Sequence, residues 1–395
     1  MGLCKIQFLI EVILMKKHVN NTFLNIAMFG HKRVPSREGG VEIVVEELSV
    51  RLTEKGHSVT CYNRGGHHVS GKEFDNLESQ KLDNVNLKTV FTIEKKGLAA
   101  VTSSFFASLC CAFGKYDTVH IHAEGPAAFC WIPKLFGKKI VVTVHGLDWQ
   151  REKWKGGFGA KYIRLGEKMA VKHADEIIVL SKSVQEYFRN TYNRETKFIP
   201  NGVNRPKSQK ADLIKKEYGL KKDDYILYLG RIVPEKGEHY LVEAFKKIHT
   251  DKKLVIAGGA SDTDEYMEKL KKSAAEDDRI LFTGFVQGRL LEELYSNAYV
   301  YCLPSDLEGM PLSLLEAMSY GCCCLTSDIA ECKEVVEDKA VLFKKGNVQD
   351  LKDKLQFLCD HEHNVENYKI NAANFVCKKY NWDKVVEQTE KLYAI

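Results

Sequence analysis

The chain has 395 residues, of which 44% are hydrophobic and 28% charged, with a formal net charge of +5. The length favours two domains over one, and the composition fits a soluble protein with substantial cores. The charge is too small to argue for a nucleic-acid partner, and it suits an anionic membrane surface or a phosphorylated ligand.

Residues 1–22 read as an extension before the first domain. The run FLIEVILM (Phe8 to Met15) is apolar but short, contains Glu11 and precedes no small-residue cleavage site. It makes a poor signal peptide and is too short to span a bilayer; Met15 is an alternative start. No other segment has an uninterrupted apolar stretch of spanning length.

From Leu24 the chain alternates short apolar runs with helix-compatible stretches. LNIAMFG is a strand, followed by a helix from Gly39 to about Lys55. Val41, Val44, Val45, Leu48 and Leu52 share one face of that helix, and Gly56 ends it. SVTCYN, TVHIH, KIVVTVH and EIIVLS follow as further strands. Such runs, separated by helices, predict a parallel doubly wound sheet buried on both faces.

The rhythm breaks at KFIPNGVNRPKSQK, where Pro200, Gly202 and Pro206 mark a linker. YILYLG then opens a second series with KLVIAGG, RILFTGF, YVYCLP, CCCLTS and AVLF, and helices flanking Asn381-Trp382 close the chain. Two Rossmann-like units of this kind place a ligand cleft between the carboxyl ends of their sheets. Neither opening strand is followed by G-x-G-x-x-G, so a dinucleotide oxidoreductase lacks its phosphate fingerprint. The 12 cysteines lie mostly in apolar segments, without C-x-x-C pairs at zinc or thioredoxin spacing. They read as reduced, buried thiols of a cytosolic protein. The run Cys322 to Cys324 is a poor metal site, because successive strand side chains point to opposite faces.

Several loops at the predicted strand ends carry chemistry. In HKRVPSREGGVE, Gly39-Gly40 leads into a helix, so backbone N–H groups can approach an anion there; a plain tight turn explains the pair equally well. Arg231 and Lys236 converge on another helix start, which is unfavourable unless an anion sits between them. His145 ends KIVVTVH at the predicted cleft, as a structural or a functional histidine. His120, His122 and Glu124 alternate on a strand but lack a third metal ligand at convincing spacing. Acceptor contacts or structure suit them better. Asp262 and Asp264 form D-x-D before a helix, where N-capping is the simpler use. His67-His68 suggests no mechanism. In SDLEGMPLSLLEAMSYG, Ser313 and Glu316 spell a capping box, with Glu308 an ordinary acid in the preceding loop.

Taken together, these motifs resemble the retaining family 4 glycosyltransferases of GT-B fold that build bacterial capsule, exopolysaccharide or lipopolysaccharide. The resemblance runs from about Asn25 onward. It rests on the GG loop, VHG at His145, PNGV at Pro200 to Val203, GRIVPEKG and EGMPLSLLE. Asn204 departs from the aspartate that often follows NGV.

That resemblance implies residues 23–203 as an acceptor domain and 204–380 as a nucleotide-sugar donor domain, with a helix at about 381–395 packing back on the first. Glu308 would face the donor sugar, Glu316 would bind the ribose, and N–H groups around Leu312 and Ser313 would contact the diphosphate. Arg231 and Lys236 would stabilise the departing diphosphate, and His145 the transition state. Gly39 and Gly40 would close against the phosphates, leaving His122 and Glu124 for the acceptor. Neither metal nor cofactor is implied.

The expected partners are a nucleoside diphosphate sugar, a lipid-linked saccharide and an anionic membrane, at the inner face of which the cytoplasmic protein would sit. Lys161, Arg164, Lys168 and Lys172, near Trp149, Trp154 and Phe158, suit that surface, though a solvated helix face reads the same way. Two competing functions are a glycoside hydrolase using Glu308 and Glu316, and a non-catalytic nucleotide-sugar-binding subunit.

Overall fold

A computed structural model describes residues 23–67, 82–95, 97–151, 154, 157–260 and 263–394. The extension 1–22, His68 and Asp262 lie outside the described residues. Strands β1 (Asn25–Phe29), β2 (Ser58–Arg64), β3 (Asn86–Val90), β4 (Thr118–His122), β5 (Lys139–Val144), β6 (Glu176–Val179) and β7 (Lys197–Phe198) form one sheet. Its order is β3-β2-β1-β4-β5-β6-β7. The second sheet contains β8 (Tyr225–Leu229), β9 (Lys253–Ala257), β10 (Ile280–Gly284), β11 (Val300–Leu303), β12 (Cys323–Ser327) and β13 (Val341–Phe343), in the order β10-β9-β8-β11-β12-β13. All pairings are parallel. Each sheet reverses its winding beside its opening strand, which creates a crevice at the carboxyl ends. Both halves of the expected two-Rossmann GT-B fold are therefore present.

Strands β4, β11 and β12 are buried along their whole length, as helix-covered parallel strands must be. β3 differs. As an edge strand of sequence NLKTV it exposes four of its five residues, and so carries no apolar run in the sequence. The first long helix spans Gly40–Glu54, buries Val44, Val45, Leu48 and Leu52, and stops before Gly56, whose φ is +98°. The cysteines among the described residues are unbridged, and most are buried. No helix among those residues is long and apolar enough to cross a membrane.

The chain crosses between the sheets twice, and the crossings lie side by side. The Val203 N–H donates to the Tyr380 carbonyl (2.8 Å), and Val203 pairs with Asn381 as an isolated parallel bridge. Beyond the second crossing, the Trp382–Lys391 helix packs on Gly40–Glu54 of the first domain. His57 Nε2 bonds Glu390 (2.9 Å), and Arg51 pairs with Asp383 (3.3 Å).

The facing loops of the two domains meet backbone to backbone. A Cβ on Gly309 would stand 1.6 Å from the His145 carbonyl oxygen, and one on Gly146 would stand 3.0 Å from Gly309 Cα. Gly309→Ala should therefore wedge the cleft open while leaving both sheets folded. The expected loss in turnover is about a hundredfold, the scale of a 1 Å misplacement. Circular dichroism should be unchanged; turnover within a factor of about two of wild type would show that this contact does not set the active geometry.

Candidate active site

The interdomain cleft is a cavity of about 330 Å³ into which two helix starts point. One belongs to Gly40–Glu54 and the other to Leu312–Ser319. Their cap positions, Gly39 and Pro311, make no side-chain capping bond. Gly40 lies close enough to Leu312 that a Cβ would be 3.0 Å from its Cδ1. Each helix start carries unpaired N–H groups and roughly half a positive charge. Facing one another, they make an electropositive focus that suits an anion.

This arrangement overturns the capping box. Ser313 lies inside the helix, and its hydroxyl accepts from Tyr301 OH (2.8 Å). Glu316 reaches across the cleft to Arg37 (3.2 Å) and accepts from Tyr295 OH (3.3 Å). Burial pushes the Glu316 carboxyl up, and Arg37 opposes that rise. The glutamate is held for something other than its own helix.

Lys236 and Arg231 have different surroundings. Lys236 ends a 3-10 turn, Pro234–Lys236, and its ammonium pairs with Glu308 Oε1 at 2.5 Å, where Ser305 Oγ also donates (2.6 Å). Glu308 thus supplies the counter-charge for Lys236 alone and leaves Arg231 without one. The α-helix itself starts at Glu238, whose buried carboxylate accepts from Tyr228 OH (2.7 Å) and the Val233 N–H (3.2 Å). Arg231 also lines the cleft, but its guanidinium has no hydrogen-bond or ion-pair partner among the described residues. Burial and the nearby Arg151 lower its pKa. Gly237 joins the turn to the helix at φ +72°, with the Pro304 carbonyl 2.1 Å from where a Cβ would be, so no other residue fits there.

His145 lines the cleft, and its Nε2 is hydrogen-bonded to His122 Nδ1 (3.0 Å). Burial drives His122 far below the usual imidazole range and His145 to about 4. Both rings are neutral at physiological pH, and one must donate to the other. His122 is 0% exposed, so it reaches the cleft through His145 and not by its own surface. Glu124 is equally buried and accepts from the Asp148 N–H (2.8 Å). Burial, with Glu167 beside it, holds the Glu124 carboxyl well above the carboxylate range. His122 Nε2 and Glu124 Oε1 have no hydrogen-bond partner among the described residues, but both are buried, so direct acceptor contact would require them to be uncovered. No group of three metal-ligating side chains occurs among the described residues. Asp264 opens the Asp264–Ala274 helix as its first residue, with Thr263 in the cap position; it is a first-turn acid and not the cap.

Several cleft residues escape the sequence motifs: Lys32, Arg37, Glu42, Arg64 and Arg151. Only Lys32 of these belongs to a local signal, the HKR triplet after the first strand, and that triplet does not show which way its side chain turns. Arg151 pairs with Asp148 (2.8 Å), which raises its pKa. Glu42 accepts from the Lys32 N–H (2.8 Å); although burial pushes it up, the Lys32 charge and that bond bring its carboxyl below the ordinary range.

Residues 38–205 match the model described as Glycosyltransferase Family 4, and residues 210–375 match that of Glycosyl transferases group 1. A UDP-Gal:alpha-D-GlcNAc-diphosphoundecaprenol alpha-1,3-galactosyltransferase of Escherichia coli is 30% identical over 301 residues, covering 71% of this chain and 75% of that protein. Among solved structures, sucrose-phosphate synthase from Thermosynechococcus elongatus superimposes with a TM-score of 0.79 at 22% identity, over 94% of this chain and 98% of that one. Anabaena HepE in complex with UDP-glucose gives 0.77 at 16%, over 94% and 100%. The chain belongs to this family of glycosyltransferases and is an enzyme of that class, which sets aside the hydrolase and the non-catalytic subunit.

The buried histidines predict an acid-labile fold. Burial lowers His31 to about 4 and His120 to about 3, both from the usual 6.5. Between about pH 6.5 and 4 these two histidines, with His122 and His145, take up protons on unfolding and outnumber the raised Glu124, Glu238 and Glu316, which release them, so stability falls as pH falls. The slope is up to ~1.4 kcal/mol per pH unit for each histidine. The melting temperature should drop steadily from pH 7 to 5; a flat profile would contradict this protonation scheme.

Proposed function

We propose that the protein transfers a sugar from a nucleoside diphosphate sugar to a hydroxyl of a lipid-linked saccharide, with retention and without a metal, in cell-surface polysaccharide synthesis. The observation that carries this reading is the pair of uncapped helix starts facing each other beside Arg231, unpartnered among the described residues. The fold likeness to a protein bound to UDP-glucose supports the donor class, and the relative acting on a diphosphoundecaprenol-linked sugar supports the acceptor class.

In this reading the bond from the anomeric carbon to the diphosphate oxygen breaks, and the acceptor oxygen bonds to that carbon on the same face. The acceptor's proton passes to the departing phosphate oxygen. Arg231, Lys236 and the N–H groups at Leu312 and Ser313 stabilise the charge where it develops, usually the largest catalytic effect. Lys236 turns from Glu308 toward the phosphate as the donor sugar engages Glu308. Glu316 leaves Arg37 for the ribose. His145, a neutral dipole, faces the sugar, while Gly39 and Gly40 close over the phosphates.

Lys236→Ala should lower turnover about a hundred- to a thousandfold. Glu316→Ala should mainly raise the donor KM, because ribose is held alike in ground and transition states. Its helix should lose no cap, since Glu316 makes no capping bond. Both variants and the wild type should be insensitive to a chelator. A chelator that abolishes turnover, or Glu316→Ala with an unchanged donor KM, would defeat this assignment.

The lipid side of the proposal rests on exposed aromatic and basic groups of the first domain. Phe113, Leu135 and Phe136 are exposed, with the Phe113 and Phe136 rings 4.9 Å apart, and Phe158 is 85% exposed. Lys161, Arg164, Lys168 and Lys172 are exposed on the Phe158–His173 helix, with Arg164 stacked 4.0 Å over Trp149. Aromatic groups bordered by cations fit an anionic interface. Binding to vesicles containing anionic phospholipid should be salt-sensitive and weakened by Phe113→Glu or Leu135→Glu. Equal binding to neutral vesicles, or none to either, would count against it.

A further inference from the structure

The wall of the cleft behind β1 holds charged groups that sugar transfer to a neutral hydroxyl leaves unused. The loop after Phe29 folds onto the end of β2: the Arg64 N–H donates to the Lys32 carbonyl (2.6 Å), and the Val34 N–H to Asn63 Oδ1 (3.1 Å). This registration sets Lys32 and Arg64 into the cleft wall. Arg64 spends one N–H on the Gly30 carbonyl at a long 3.4 Å, and its Nε is buried without a partner among the described residues. The Lys32 ammonium has no hydrogen-bond or ion-pair partner among those residues.

The nearby carboxylates are already engaged. Glu42 holds the Lys32 N–H at 2.8 Å, and Glu38 pairs with Arg33 at 3.3 Å. Lys32, Arg33 and Arg64 against Glu38 and Glu42 leave one positive charge in excess, and buried His31 adds none at neutral pH. Near Arg64, the Tyr162 hydroxyl is also buried without a partner among the described residues. Buried donors without acceptors are costly, and a cation shielded from water needs a counter-charge. Lys32 feels both Arg64 and Arg231, whereas the charges acting on Arg64 are those of its own domain: Glu42, Glu38 and Arg33.

We propose that Lys32 and Arg64 form an anion subsite for the acceptor, so that the acceptor carries a phosphate or carboxylate close to the hydroxyl that receives the sugar. The inference rests on the transfer reading above, and it names the chemistry of the acceptor. A lipid-linked phosphate and a small soluble hydroxy acid or sugar phosphate supply the same group. Guanidinium and ammonium donors reach it by charge-assisted hydrogen bonds.

The test uses full-length protein saturated with whichever of UDP, ADP, GDP or dTDP raises its melting temperature, which occupies the diphosphate site. Calorimetry then compares glycerol phosphate with glycerol. Glycerol phosphate should bind preferentially and more weakly in high salt. Arg64→Gln and Lys32→Gln should each weaken it about ten- to a hundredfold, the loss of one charge-assisted bond. Arg64→Lys should recover part of the affinity, and nucleotide binding to Arg64→Gln should stay near wild type. Competition by a short polyprenyl phosphate in micelles would assign the anion to a lipid carrier; failure to compete would assign it to a soluble acceptor. The subsite is overturned if glycerol phosphate shows no preference, if Arg64→Gln retains it, or if nucleotide affinity falls in step with it. If no nucleoside diphosphate binds the wild type, the transfer reading fails first.

Discussion

The approach of two uncapped helix starts is the constraint on which the rest of the molecule depends. Helix ends without side-chain caps must find acceptors elsewhere, in water or in a ligand. Here both ends open into one cleft, with Gly40 nearly touching Leu312. The Arg37–Glu316 pair bridges the gap. Its side chains are 43% and 20% exposed, so the pair is worth no more than about 1 kcal/mol. A ligand that supplies negative charge to both helix starts displaces it at little cost.

The histidines answer the same problem from the other side. A cleft rich in arginine and lysine gains nothing from further positive charge. Burial keeps His31, His122 and His145 neutral, and the His122–His145 bond fixes where the second ring points. The imidazole at the cleft therefore acts as an oriented dipole. Glu308, held by Lys236 and Ser305, balances its neighbour's charge.

Much of the architecture is legible in the sequence because buried parallel strands must be apolar throughout. The Gly40–Glu54 helix announces itself by its apolar spacing and its terminal Gly56. β3 does not, because an edge strand with exposed Leu87 and Lys88 obeys no burial pattern. The site was legible as motifs and illegible as pairings. S-x-x-E is a local pattern, but Ser313 is claimed by Tyr301, 12 residues away, and Glu316 by Arg37, 279 residues away. The Lys236–Glu308 pair joins residues 72 apart. Which partner wins is decided by how strands and loops assemble within a domain and, for Glu316, by how the two domains meet, and spacing along the chain contains no information on that. Lys32 and Arg64 were hidden for the same reason: one follows β1, the other ends β2, and only the sheet register makes them neighbours.

The return of the chain to the first domain has a consequence for how the protein is made. Tyr393 OH bonds His120 at 2.7 Å, and the Tyr393 carbonyl accepts from Thr118 Oγ1 at 3.2 Å, both in the buried heart of β4. The first domain's interior is thus finished by a residue 273 positions downstream. During synthesis, domains ordinarily fold as units, N-terminal first. This one emerges from the ribosome with His120 Nδ1 unsatisfied and one side of its first long helix uncovered, and it waits in that state until the whole second domain has been translated. A chaperone that shields that face, or a second domain that folds quickly, becomes part of the route by which the cleft is assembled.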